Sequence, residues 1–177
     1  GEDARALVER NLAELEGMEC AETFPAVYGV WRVVYTSLTI LGRKRVRLGL
    51  APRSGGFGVV RLGEMRQTVL EDGKTTSEVE FEVMLGEISG RLAIDAEYHR
   101  LEGDKRVEVE ATGWELEPQK AEKLLGEENV EMLLRIFDPT GHLDLTYVDD
   151  DVRVGRDDKG YVYVLKRVPV GEPDDRK

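Results

Sequence analysis

A single cysteine, Cys20, removes two classes at once: no internal disulfide can form, and there is no CxxC metal site. Histidine is nearly as scarce. His99 and His142 are the only two, and His142-Leu143-Asp144 is too thin for a catalytic triad or a metal cluster. No apolar run approaches the roughly 18 residues that span a bilayer. Positive charge is also short. The formal net charge is −11, which repels phosphate backbones and anionic headgroups, and no nucleic-acid module is recognisable. The first residues, GEDARALVER, are charged and carry no signal pattern. Gly86-Glu87-Ile88-Ser89-Gly90 sets its serine one position late for G-x-S-x-G, and Gly56-Phe57-Gly58-Val59-Val60-Arg61 lacks the third glycine of a dinucleotide loop. No catalytic residue and no cofactor are expected.

What is present is a globular composition, 41% hydrophobic over 177 residues, enough for one cored domain. That domain is expected over 1–170, with 171–177 as a disordered tail. Ala4, Leu7, Val8, Leu12 and Leu15 recur at helical spacing over 3–16, and Gly17 is a natural stop. From Val30 to Leu116 the period falls to two. Val79, Phe81, Val83 and Leu85 oppose Glu78, Glu80 and Glu82, and Leu92, Ile94, Ala96 and Tyr98 oppose Arg91, Asp95, Glu97 and His99. Apolar-in, charged-out alternation is what an antiparallel sheet with one wet face requires. Pro118 opens a second helical stretch that runs to Phe137, with Gly126 a possible break. Two more strands are expected near 143–149 and 160–168, joined by Asp-rich turns. So many strands in an open sheet would leave edges to protect, so the expected fold is mainly β: an antiparallel barrel with an N-terminal helix and a helical insertion near 118–137.

Two stretches go further. Gly29-Val30-Trp31 matches the G-x-W of lipocalin-type (calycin) barrels. The run from Leu143 to Leu165, with Tyr147-Val148-Asp149, Arg153-Val154-Gly155-Arg156 and Asp158-Lys159-Gly160, resembles the C-terminal signature of the plastid lipid-associated proteins, or fibrillins. Gly29 to Ser37 is similar to that family's opening strand, and Gly63-Glu64-Met65-Arg66-Gln67 to its Gly-x-x-x-Gln strand. The resemblance covers about residues 5–168. It implies a lipocalin-like barrel in a chloroplast or other plastid, associated with plastoglobules or thylakoids. The implied ligand is an isoprenoid lipid, quinone, carotenoid or fatty acid, and a lipid-body surface or biosynthetic enzyme is the implied partner. It also implies that Trp31 packs under a C-terminal arginine, Arg153 or Arg156, and closes one barrel end.

Three site expectations follow. Val33, Tyr35, Val46, Leu48, Phe81, Val83, Ile94, Tyr98 and Tyr147 are expected to face inward and line a ligand pocket, alongside core residues such as Val79, Leu92, Val107, Val109, Leu145 and Val164. Arg43, Lys44 and Arg45 form the one dense basic cluster, suited to a solvated strand face or to an anionic headgroup. Asp149-Asp150-Asp151 and Asp157-Asp158 lack EF-hand spacing and suit turns, so no metal is expected there. The competing expectation is an interaction protein whose barrel is filled by its own side chains. A tetrapyrrole-binding barrel is a more distant third.

Overall fold

A computed structural model describes residues 2–18, 23–38, 45–49, 57–83, 88–101, 103 and 105–171. Cys20, Arg43, Lys44 and the tail beyond Gly171 lie outside the described residues, as do the side chains of Arg45, Val46 and Leu48. The chain begins with helix α1 (Glu2–Glu16), passes a short corner at Thr23–Ala26, and enters strands β1 (Gly29–Thr36), β2 (Arg45–Gly49), β3 (Phe57–Val69), β4 (Lys74–Val83), β5 (Ile88–Arg100) and β6 (Arg106–Glu117). Helices α2 (Gln119–Leu125) and α3 (Glu127–Phe137) follow, and then β7 (Gly141–Val148), β8 (Val152–Asp157) and β9 (Val162–Arg167).

Every strand pairing is antiparallel. The order β1-β9-β8-β7-β6-β5-β4-β3 closes on itself through β1–β3, making an eight-stranded barrel with β2 attached to the first half of β3. Thus β3 serves two partners: residues 57–61 pair with β2 and residues 66–69 with β1. Closure leaves far less free edge than an open sheet of this size would, which is how an antiparallel sheet limits edge pairing.

The turns follow from their side chains. Gly73 and Gly160 hold φ of 85° and 84° at the β3–β4 and β8–β9 hairpins, a region L residues avoid. Asp149 Oδ1 accepts from the Asp151 and Val152 amides at 2.8 and 2.6 Å, and Asp157 Oδ1 accepts from Lys159 and Tyr161 at 3.0 and 2.8 Å. These aspartates organise the backbone of their own turns. The helical stretch after Pro118 is two helices, separated at Gly126 (φ 78°). Residues 152–157, expected to be part of an Asp-rich connection, form the strand β8 instead. Strands as short as Val152–Asp157 hide easily between aspartates that read as turn signals.

Two packed regions occupy the barrel. At one end Trp31, Val69, Ala96, Val107, Leu145 and Val148 meet Phe24 and Val27 from the corner. At the other, Val60, Leu62, Phe81, Val83 and Leu116 meet Ala121, Leu125, Val130 and Leu133 of α2 and α3, which plug the opening. β6 and β7 pair only between residues 106–109 and 141–144: β7 starts at Gly141, opposite Val109, and β6 runs on past it to Glu117, where the helices follow. A third cluster lies outside the wall: Leu12 of α1 buries against Val154 and Val162, flanked by Val8, Tyr35, Tyr147 and Val164. Glu16 then ties α1 down, accepting from Arg156 at 2.7 and 2.8 Å and from Thr146 Oγ1 at 2.6 Å. Arg156 holds the Glu16 carboxyl below the usual carboxylate range against the opposing effect of burial.

Candidate functional site

Between the two packed regions the barrel keeps a cavity of about 140 Å³. Its apolar wall includes Val33, Met65, Leu92, Ile94, Leu143 and Leu165. Its polar wall includes Gln67, Ser77, Arg153 and Tyr163, and Asp138, His142, Asp157, Asp158 and Lys159 stand toward α3 and the β8–β9 turn. A second cavity of about 30 Å³ adjoins it near Val69, Thr75 and Tyr98; Gln67 and Arg153 line both spaces. On β8, Gly155 carries no side chain between Arg153 and Asp157, and Leu143 packs close against it. A Cβ built there would stand 3.1 Å from Leu143 Cδ1.

The Trp31 end is built from cations. Trp31 is fully buried and donates from Nε1 to the Val27 carbonyl at 2.8 Å. Arg153 lies with its Cζ 5.0 Å from the Trp31 ring centroid, and Arg167 lies at 4.2 Å. Arg167 is held by backbone carbonyls: it donates to Tyr28 at 2.7 Å and to Ala26 and Asp150. Arg153 donates to Gln67 Oε1. Only 2% of Arg153 is exposed, and no carboxylate reaches it among the described residues. Burial, with a smaller push from Arg167, brings its guanidinium down to about 9. Gln67 is oriented in turn by a long bond from its Nε2 to Ser77 Oγ, 3.5 Å. Tyr163 donates to Asp157 Oδ2 at 3.2 Å, and burial first, then Asp157, raises its hydroxyl well above the ordinary tyrosine range.

The residues singled out from sequence divide among four places. Val33 and Ile94 line the main cavity. Tyr98 lines the smaller one and donates to the Leu70 carbonyl. Phe81 and Val83 are packed into the region under the helical plug. Tyr35 and Tyr147, expected inside, lie outside, and so does Val164. The cause is two β-bulges: the β1–β9 register slips between Val33 and Tyr35, and the β7–β8 register slips between Leu145 and Tyr147. A one-residue slip sends every later side chain to the opposite face. Val164 is outward by simple alternation from Leu165. Arg156 shares the outward face of β8 with Val154, which is why it meets Glu16 of α1 and not Trp31.

Arg167 was missed from sequence, although Lys166-Arg167 stands at the end of the last apolar strand, opposite Trp31 in register. The outer cluster had a visible signal. Val152, Val154, Val162 and Val164 make an apolar outer stripe, and the apolar face of α1 needed a partner.

A closed, eight-stranded antiparallel barrel with an N-terminal helix and an interior cavity is a lipocalin-like fold. The family model PAP_fibrillin matches residues 1–166, and the chain belongs to that family, a plastid lipid-associated and structural one. No curated protein matches the chain.

Proposed function

We propose that this protein binds the end of an amphipathic lipid in its barrel, with the rest of the ligand leaving on the side where β6 runs on past the start of β7. The observation that carries this reading is the cavity. It joins an apolar wall to polar groups gathered at Arg153 and Gln67 on one side and toward α3 and the β8–β9 turn on the other, so it offers an amphipathic molecule both kinds of contact. An engineered apolar cavity of about 150 Å³ takes up benzene, so one ring or a short chain segment fits here, whereas a whole drug-sized ligand needs roughly 300 Å³ or more. An isoprenoid, quinone, carotenoid or fatty acid is therefore held by one end. The family's lipid association supports a lipid, and plastoglobules or thylakoids are the proposed source. Arg43, Lys44 and Arg45, the dense basic cluster of a chain with net charge −11, suit contact with the anionic surface that supplies it. No step of this function requires a catalytic group.

One observation favours the rival reading, a docking protein for a lipid body or an enzyme. Both ends of the barrel are packed with the chain's own side chains, and the space between them is modest. Solvent extraction and mass spectrometry of the purified protein, followed by titration with the lipid recovered, separate the two. A stoichiometric lipid supports binding in the barrel. No recovered lipid and no saturable binding of quinones, fatty acids or carotenoids support docking.

A further inference from the structure

Arg153 has a property that closing the barrel does not require. Packing Trp31 needs volume and a partner for its ring, and Arg167 already supplies a cation at 4.2 Å. Arg153 adds a second, buried charge whose one hydrogen bond among the described residues goes to a neutral acceptor, Gln67 Oε1. A guanidinium carries five N–H donors in a fixed fork, and among the described residues Gln67 is the one hydrogen-bond partner of Arg153, which lines both cavities. Buried charges ordinarily come paired, and the charge that acts on this one is another cation, Arg167.

We infer that the barrel takes its ligand carboxylate-first, so that the acid group of an apolar-chain monocarboxylate pairs with Arg153. This rests on the lipid-binding reading above and names the class of ligand within it. A planar carboxylate matches the guanidinium fork with two parallel bonds. A diphosphate brings more charge than one guanidinium and a neutral glutamine can meet in about 140 Å³. The charges along β8 set the direction. Arg153 and Asp157 lie on the same inward face four residues apart, roughly 13 Å at strand rise. Asp138, Asp157 and Asp158 repel an acid group held near the mouth, where His142 and Lys159 are the cationic or titratable neighbours. Val33, Ile94 and Leu165 then lie beside the chain that follows the head.

The test compares lauric acid, methyl laurate and lauryl alcohol by calorimetry at pH 8 on the whole protein. Charged hydrogen bonds in a dry site predict that the acid binds about tenfold or more tighter than the ester and the alcohol. Arg153→Gln should remove that preference with little change for the ester, and Arg153→Lys should restore part of it. Carbon-13 spectra of carboxyl-labelled lauric acid should show the bound carboxyl still ionised below the pH at which the free acid is protonated. Equal affinity for acid and ester in the unaltered protein overturns the carboxylate inference and leaves lipid binding standing. If none of the three binds, and no other lipid does, both readings fall. The unaltered protein decides either way should the Arg153 variants not fold.

Discussion

The two ends of this barrel are closed by different chemistry. At the helix-plugged end, Ala121, Leu125, Val130 and Leu133 fill the opening with apolar volume alone, packed on Val60 and Val83. At the Trp31 end the filling is mixed: a tryptophan in contact with two arginines, a glutamine, and a corner whose Phe24 stacks on Tyr98 at 6.2 Å with Arg100 at 4.0 Å over its ring. An apolar plug needs only shape. A buried guanidinium beside a cavity costs desolvation, so its presence argues for something that the cavity receives. The first end tells how the barrel is stabilised, and the second tells where it is specific.

The largest effect expected is from Trp31→Ala, about 3–5 kcal/mol lost in a urea titration, as for aromatic truncation in a core. A parent-like midpoint would show that Trp31 does not hold that end. Leu125→Ala at the opposite end should cost about 2–4 kcal/mol, because Leu125 is fully buried. If the two ends are independent, this variant loses stability while keeping ligand affinity, whereas Trp31→Ala loses both.

Arg153→Met sharpens the contrast. A cation–π contact contributes about 0.5–2 kcal/mol, and desolvating an unpaired guanidinium costs more than that. The ligand-free variant should therefore be as stable as the parent or about 1 kcal/mol more stable, by thermal melting at pH 7. The sign with pH is fixed. Between pH 9 and the ordinary arginine range the unfolded chain holds the proton that folded Arg153 has shed, so this group's contribution rises with pH. The parent should thus gain on the Met variant above about pH 9. A gap that widens in the variant's favour would contradict an unpaired buried charge.

The smallest effect belongs to the outer wall. Glu16→Gln should cost about 1 kcal/mol, since the pair with Arg156 is half-exposed and partly screened. Because the folded carboxyl lies below its usual range, the contribution is complete above that range and fades as pH falls through the lowered value. Acid titrations of parent and variant should converge at low pH. Curves that stay parallel would place the cost elsewhere than in the ion pair.

Much of this was legible in the chain itself. Alternation over β4 and β5 gave the inward faces of Val79, Phe81, Leu92 and Ile94, because Glu78, Glu80 and Glu82 flank the first two while Arg91 and Asp95 bracket the second two. Gly126 marked the break between α2 and α3, since few residues other than glycine hold φ 78°. Tyr35 and Tyr147 were placed on the wrong face for a physical reason. Val33 and Val34 are both apolar, so the pattern carries no mark of the bulge between them and Tyr35. Around Tyr147, strands β7 to β9 are apolar on both faces, because the barrel lies on one side and α1 on the other. The cavity was illegible altogether. It is what remains when the inward side chains of several strands leave volume unfilled, a three-dimensional remainder that no single position announces.

The central claim is that lipid enters the space between the two packed ends. Methyl-labelled NMR during titration with lauric acid tests it most directly. Val33, Ile94 and Leu165 should shift saturably with one common midpoint, while Val60 and Val83 under the helical plug stay fixed. Shifts confined to exposed residues such as Val34 and Leu70, or shifts that never saturate, would contradict binding inside the barrel.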